Sequence, residues 1–239
     1  MNYIGDHPLN LIGKVAIVTS ASSEQGAAIC RELLNSNANV LGVDSTPAHK
    51  STQSSRASHF QFFQYESGKD LKGRDVLEYA AKMYGKEGVD FYIDVVDGED
   101  AANVMDGLRR EVLDVFKEKS EGVVLTVVRS GNNIGREKEE KLVNRTRELS
   151  SEFKDGRVRC NLILPGEGGH TSGTGSIVDS DTESAIKEHL QGHICRREKG
   201  GYAVEAERDV ANLVLFFCTK VGSSISEALI REDGSCVAL

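Results

Sequence analysis

Gly13-Lys14-Val15-Ala16-Ile17-Val18-Thr19 is a β-branched run without polar alternation, and it leads into the small-residue stretch Ser20-Ala21-Ser22-Ser23-Glu24-Gln25-Gly26. An uninterrupted apolar run of this length is the pattern of a strand covered on both faces of a parallel sheet. Ala27, Ala28, Cys30, Leu33 and Leu34 follow at helical spacing and are expected to face inward. Asn39-Val40-Leu41-Gly42-Val43-Asp44 then reads as a second buried strand ending in a carboxylate. The unit is strand, turn, helix, strand, and everything downstream repeats its alternation.

Outward from this unit, the spacing predicts a polar surface loop over 45–58 and a strand over 59–65. Helices at about 70–84, 101–117, 136–153 and 207–219 interleave with strands at 90–96, 122–128, 158–164 and 227–232. Strands alternating with helices of this length build a doubly wound parallel sheet, a three-layer α/β/α arrangement. The expected organisation is one domain over 1–239, with a Gly/Ser-rich lid at 166–206 placed over the carboxyl ends of the strands. In helix 136–153, Leu142, Thr146, Leu149 and Phe153 form a stripe that reads as core packing.

Composition narrows the function classes. The 239 residues carry 29 Lys+Arg against 37 Asp+Glu, a net charge of −8, which argues against nucleic acid and anionic membranes as partners. No apolar run reaches the ~20 residues of a membrane span, and the first residues lack the layout of a signal peptide, so the expectation is a cytoplasmic protein. Five scattered cysteines fit reduced thiols. There is no Trp, and none of the six Tyr lies between Tyr92 and Tyr202.

Leu11 to Thr19, the late stretch Val158-Arg159-Cys160-Asn161-Leu162-Ile163-Leu164-Pro165-Gly166, Asp209-Val210-Ala211-Asn212 and Asp233-Gly234 resemble, in this order and spacing, the short-chain dehydrogenase/reductase family over nearly the whole chain. The resemblance implies a Rossmann-type sheet that binds a nicotinamide dinucleotide. Its phosphate-binding pattern, Thr-Gly-x3-Gly-x-Gly, reads here as Thr19 to Gly26, with Ser20 and Glu24 at two of the three glycines. If a dinucleotide binds, Ser20, Ser22 and Gly26 line the phosphates and Asp44 holds the ribose hydroxyls. Asp44 reads equally as a strand-end turn residue. The family's Asn-Asn-Ala-Gly aligns with Asp94-Val95-Val96-Asp97, which predicts a filled or charge-repelling surface on the cofactor path. The expected cofactor is accordingly none, or weakly bound NAD(H), and no metal.

The family's catalytic set departs further. Its tyrosine aligns with Gly135, and its lysine four residues on with Glu139; a two-residue shift gives Glu137 and Lys141 instead. The family's serine position falls on Arg129, with Ser130 beside it. Arg129 is a candidate anchor for a carboxylate, enolate or amide oxygen, or else a surface arginine paired with the acids at 137–140. Glu167 and His170 in the lid are candidates for general acid/base work. His189, His193 and Cys195 have ligand-like spacing, but Gly192 weakens the helix that would aim them, and solvated side chains are the simpler reading.

The expectation is therefore a non-standard member of the family acting on a small molecule in natural-product biosynthesis. A few fungal natural-product enzymes on this fold lack the tyrosine and catalyse cyclisations. A non-redox cyclisation, isomerisation or elimination leads, with Arg129, Ser130, Lys141, Glu167 and His170 as its site. A residual NAD(H)-dependent oxidoreductase and a catalytically dead scaffold are the alternatives. The resemblance also offers helix 136–153 as a homodimer or homotetramer face.

Overall fold

The computed structural model describes residues 8–49, 52, 58–69, 71–85, 88–96, 105–129, 135–153, 157–164, 202–231 and 236–238. Strands β1 (Val15–Thr19), β2 (Asn39–Asp44), β3 (Phe60–Gln64), β4 (Phe91–Val96), β5 (Gly122–Val128), β6 (Val158–Leu164), β7 (Ala228–Arg231) and β8 (Cys236–Ala238) form one sheet. Its order is β3-β2-β1-β4-β5-β6-β7-β8. The pairings from β3 to β7 are parallel, whereas β8 runs antiparallel to β7. The chain adds strands outward from β1 to β3 and then in the opposite sense from β4, and this switch between the parallel β1 and β4 is where folds of this type place ligands, at the carboxyl ends of the strands.

Five helices stand out among the described residues: α1 (Glu24–Asn35), α2 (Gly73–Tyr84), α3 (Asp106–Lys119), α4 (Gly135–Glu152) and α5 (Tyr202–Cys218). Alternate side chains of each strand feed opposite layers. Ile93 and Val95 of β4 join Ile29 and Leu33 of α1 and Val214 and Phe217 of α5. Tyr92, on the opposite face, joins Val76 of α2 and Leu108, Val112 and Phe116 of α3. A smaller cluster of Val128, Leu162, Leu164 and Leu229 receives Leu142 and Val143 of α4. Each fully buried Leu, Ile or Phe contributes about 1.5–3 kcal/mol relative to an exposed one, so the two main clusters hold the layers together.

The doubly wound sheet is the predicted architecture, with three differences. The three-residue strand β8 was not expected; its Cys-Val-Ala is too short to register as an apolar run. Helix α5 begins at Tyr202, inside the segment expected to be lid, because Ala203, Val204, Glu205 and Ala206 continue a helix-favouring composition. Helix α3 begins at Asp106; the expected earlier turns at 101–104 lie outside the described residues. The α4 stripe packs inward as expected: Thr146 is buried, Leu149 and Phe153 join the Tyr92 cluster, and Leu142 the smaller one.

Candidate functional site

The β1–α1 turn is built around Ser20, whose φ of 47° places a non-glycine residue in the left-handed region. Its carbonyl accepts from the Ser23 backbone N–H at 3.0 Å and from the Ser23 hydroxyl at 2.7 Å. Ser23 caps α1, its Oγ accepting from the Gly26 N–H at 3.0 Å. A Cβ on Gly26 would sit 2.3 Å from the Ser20 carbonyl oxygen, so only glycine lets helix and turn approach this closely. The Ser20 hydroxyl donates to the Val95 carbonyl at 2.9 Å, tying the turn to the end of β4. Glu24, at the same turn, is exposed and opens the helix as its first acidic residue.

Asp44 closes β2 with its carboxylate engaged on both oxygens. Oδ2 accepts from the Ser22 N–H at 2.9 Å, and Oδ1 accepts from the Thr46 N–H at 3.2 Å and the Thr46 hydroxyl at 3.3 Å. The Ser22 hydroxyl in turn points to the carbonyls of Thr46 at 2.9 Å and Pro47 at 2.8 Å. Of its two sequence readings, the turn role is the one its contacts fill.

Of the filled or charge-repelling surface expected from Asp94 to Asp97, Asp94 does not supply the repelling charge. Its side chain is 4 % exposed, its Oδ2 is paired with Arg109 of α3, itself 5 % exposed, and its Oδ1 accepts from the Thr19 hydroxyl at 3.1 Å. Thr19 Oγ1 also accepts from the Val95 N–H at 2.9 Å. Arg109 continues to Asp106, which also pairs with Arg145 of α4, so the charge is neutralised along a series of ion pairs running outward from β4 to the α3–α4 flank. Asp94 presents no free charge to the crevice. Asp97 lies outside the described residues, while Val95 and Val96 are buried. The series ends at a cleft of about 410 Å³ between α3 and α4, lined by Arg109, Asp106 and Arg145 among others, on the flank and away from the strand ends.

At the end of β5, the Arg129 N–H donates to the Val96 carbonyl at 3.2 Å, extending the pairing with β4 one residue past β5. Ser20 and Arg129 are thereby fixed to consecutive carbonyls of β4, those of Val95 and Val96. Lys141 pairs with Glu137 at 2.8 Å on α4, with side chains 71 % and 83 % exposed. That hydrogen bond and charge hold the Glu137 carboxyl below its usual range. Glu139 pairs with Arg231 of β7. Gly135, one of the two positions expected for the family's tyrosine, opens α4 with a φ of 65°. The nearest tyrosine in sequence, Tyr92, is fully buried on the α2–α3 side. Ser130, Glu167, His170, the trio His189, His193 and Cys195, and residues 166–201 of the expected lid lie outside the described residues. Among the described residues, no group of His, Cys, Asp or Glu could hold a metal ion, and no helix is long and apolar enough to cross a membrane.

Sequence reasoning missed Arg109, Ser23, Thr46 and Pro47. A carboxylate inside an apolar strand signals a buried cationic partner, but Asp94 alone does not say which cation. Ser23 was the accessible one, since a serine just before a helix is a standard cap.

No family model matches the chain. Short chain dehydrogenase ausX of Aspergillus calidoustus is 27% identical over 256 aligned residues, covering 95% of this chain and 98% of that protein. Short chain dehydrogenase ple7 of Rhodocybe pseudopiperita is 30% identical over 182 residues, covering 64% of this chain and 70% of ple7. Asnovolin H dehydrogenase nvfC of Aspergillus novofumigatus is 24% identical over 251 residues, covering 92% and 96%. Among solved structures, a hydroxysteroid dehydrogenase from Escherichia coli superposes with a TM-score of 0.64 at 18% identity, covering 95% of this chain and 98% of that one. The structure of gox2181 does so with 0.66 at 17%, covering 94% and 95%. At such identities the structural likeness speaks for the fold alone.

Proposed function

Because the chain belongs to the short-chain dehydrogenase/reductase family, we propose that it is an enzyme of natural-product biosynthesis that uses the crevice at the strand ends without hydride transfer. The reaction class is a cyclisation, isomerisation or elimination. The observation that carries this reading is the content of the tyrosine and lysine positions: Gly135 and Glu139, or Glu137 and Lys141 locked in an exposed ion pair. Neither alignment offers a hydroxyl of suitable acidity, nor a lysine free to lower its pKa. A non-redox reaction needs only a polarised oxygen and a proton carrier. Arg129, fixed to the end of β4 through its backbone, supplies the cation for an oxygen of the substrate. Ser130, Glu167 and His170 are the proton carriers of this reading, and Lys141 has no part in it.

The biosynthetic setting rests on the relatives, which come from fungi and include one named for a specific metabolite, asnovolin H. A small molecule of that kind is the proposed substrate class. The test is conversion of candidate fungal metabolites followed by mass spectrometry, with and without NADH. An isomeric product, or one short of water, formed without cofactor supports the reading; Arg129→Ala with unchanged turnover removes the role of that residue. A product heavier by two hydrogens, formed only with NADH, would establish the second reading, a residual NAD(H)-dependent reductase. That reading is favoured by the names of the relatives, which are dehydrogenases.

A further inference from the structure

We propose that this chain closes the adenosine half of its crevice with its own β2–β3 loop, so that Asp44 acts as a clasp on residues 46–47 and no nucleoside is held there. The proposal deepens the non-redox reading and rests on the same family membership. Its argument begins with Asp44.

An ionised carboxylate offers about four acceptor positions. Three on Asp44 are taken by the Ser22 N–H, the Thr46 N–H and the Thr46 hydroxyl. A ribose held through its vicinal diol donates two hydrogen bonds to that acid and finds about one position left. The loop is gripped from the other side as well, because the single Ser22 hydroxyl reaches the carbonyls of both Thr46 and Pro47. Gln64 of β3 adds a third hold, its side-chain amide donating to the Ser45 carbonyl at 3.1 Å. Pro47 contributes a fixed φ, which limits how the loop can swing aside. Residues from the β1–α1 turn, β2 and β3 thus converge on three consecutive loop residues.

The neighbouring phosphate position is altered in the same direction. A pyrophosphate at a helix N-terminus is held by free N–H groups. Here the Ser23 hydroxyl already occupies the Gly26 N–H, and Glu24 brings a carboxylate to the first turn. The Ser20 hydroxyl is spent on the Val95 carbonyl and so is not a donor for a phosphate oxygen. The turn thus offers a pyrophosphate fewer donors, and one more carboxylate, than the family's glycine loop would.

The test is binding of AMP, then of NADH, to the full chain by calorimetry or saturation-transfer NMR at millimolar ligand, read without any substrate. The wild type is expected to bind neither. The double variant Ser22→Ala, Thr46→Ala removes both hydroxyls, leaving Asp44 two acceptor positions and the loop ungripped, and is expected to bind AMP at least about tenfold more tightly. A ligand-induced rise in melting temperature gives an independent reading of the same binding. Sub-millimolar AMP or NADH affinity in the wild type would overturn the proposal. A double variant that melts cooperatively yet binds no better than wild type would also overturn it, since the clasp would then not be what excludes the nucleoside. If the double variant does not fold, Thr46→Ala alone, which frees one further acceptor position on Asp44 and leaves the Ser22 hydroxyl on the loop, is held to the same standard. Failure of the function reading is separate: it appears as absent turnover without cofactor and leaves the binding result standing.

Discussion

Arg109→Met tests the account of Asp94 directly. The pair is almost wholly buried, with side chains 5 % and 4 % exposed, and removing the guanidinium leaves Asp94 with only the Thr19 hydroxyl as a side-chain donor. Breaking one side of a buried ion pair costs about 3–5 kcal/mol, because the remaining charge stays desolvated. Against a total stability of about 5–15 kcal/mol this is a large fraction. For a chain of this size it corresponds to a fall in melting temperature of about 6–20 °C. The double variant Asp94→Leu, Arg109→Met removes both charges and is expected to recover most of the loss. The coupling energy from a double-mutant cycle, measured by urea unfolding followed by circular dichroism, should be at least about 2 kcal/mol. If Arg109→Met costs less than about 1 kcal/mol, or the cycle shows no coupling, Asp94 is not neutralised by this partner. Its charge would then be available to the crevice after all.

Lys141→Ala should change stability by no more than about 0.5 kcal/mol, since the pair with Glu137 is solvent-exposed, and should leave turnover unchanged; a lost activity would return Lys141 to the site. Gly26→Ala should destabilise by about 1–3 kcal/mol in urea, because its Cβ would lie 2.3 Å from a backbone oxygen that cannot rotate away. Stability should fall in alkali. Burial pushes the Cys30 and Cys160 thiols from 9.0 up to about 12, and raises Cys218 and the Tyr84 phenol too. The folded state keeps these groups neutral while the unfolded chain ionises them, so their contribution is complete below pH 9.0 and is lost as pH rises from there toward about 12. The slope is at most about 1.4 kcal/mol per pH unit for each thiol, visible as a falling urea midpoint; a midpoint flat up to about pH 11 would contradict it. In the native state at neutral pH the same thiols should resist alkylation.

The parallel strands were legible because burial on two faces leaves nothing but apolar residues to write, as in Val15–Thr19 and Gly122–Val128. Helix α4 was legible through the stripe from Leu142 to Phe153, even though most of its surface is charged. The partners of charged groups were not. Arg109 sits beside Leu108 and three residues before Val112 in the buried stripe of α3, so its sequence context announces burial, but pairing it with Asp94 requires the packing of α3 on β4. Thr46 and Pro47 are two residues of an ordinary polar loop, and their relation to Ser22 exists only once β1 and β2 are side by side. Asp44 could be placed at a strand end from sequence; what its lone pairs are used for could not.

The phosphate-binding pattern of the family combines two demands that this chain separates. Gly26 survives where the fold itself forbids a side chain, its Cβ position lying within 2.3 Å of the Ser20 carbonyl. Its presence is therefore no sign of a bound phosphate. Ser20 keeps the left-handed backbone that glycine adopts freely, at a conformational cost of about 1–2 kcal/mol, and its hydroxyl offsets part of that by holding the Val95 carbonyl. Glu24 stands at the one position of the three that is exposed to solvent, where packing makes no demand and only an approaching ligand would. Glycine is retained at Gly26, where a Cβ has no room, and replaced at Ser20, where the hydroxyl offsets part of the strain, and at Glu24, where packing makes no demand. On the proposed reading, the altered turn, the clasp on Asp44 and a glycine at the expected tyrosine position are consequences of one change in what the crevice holds.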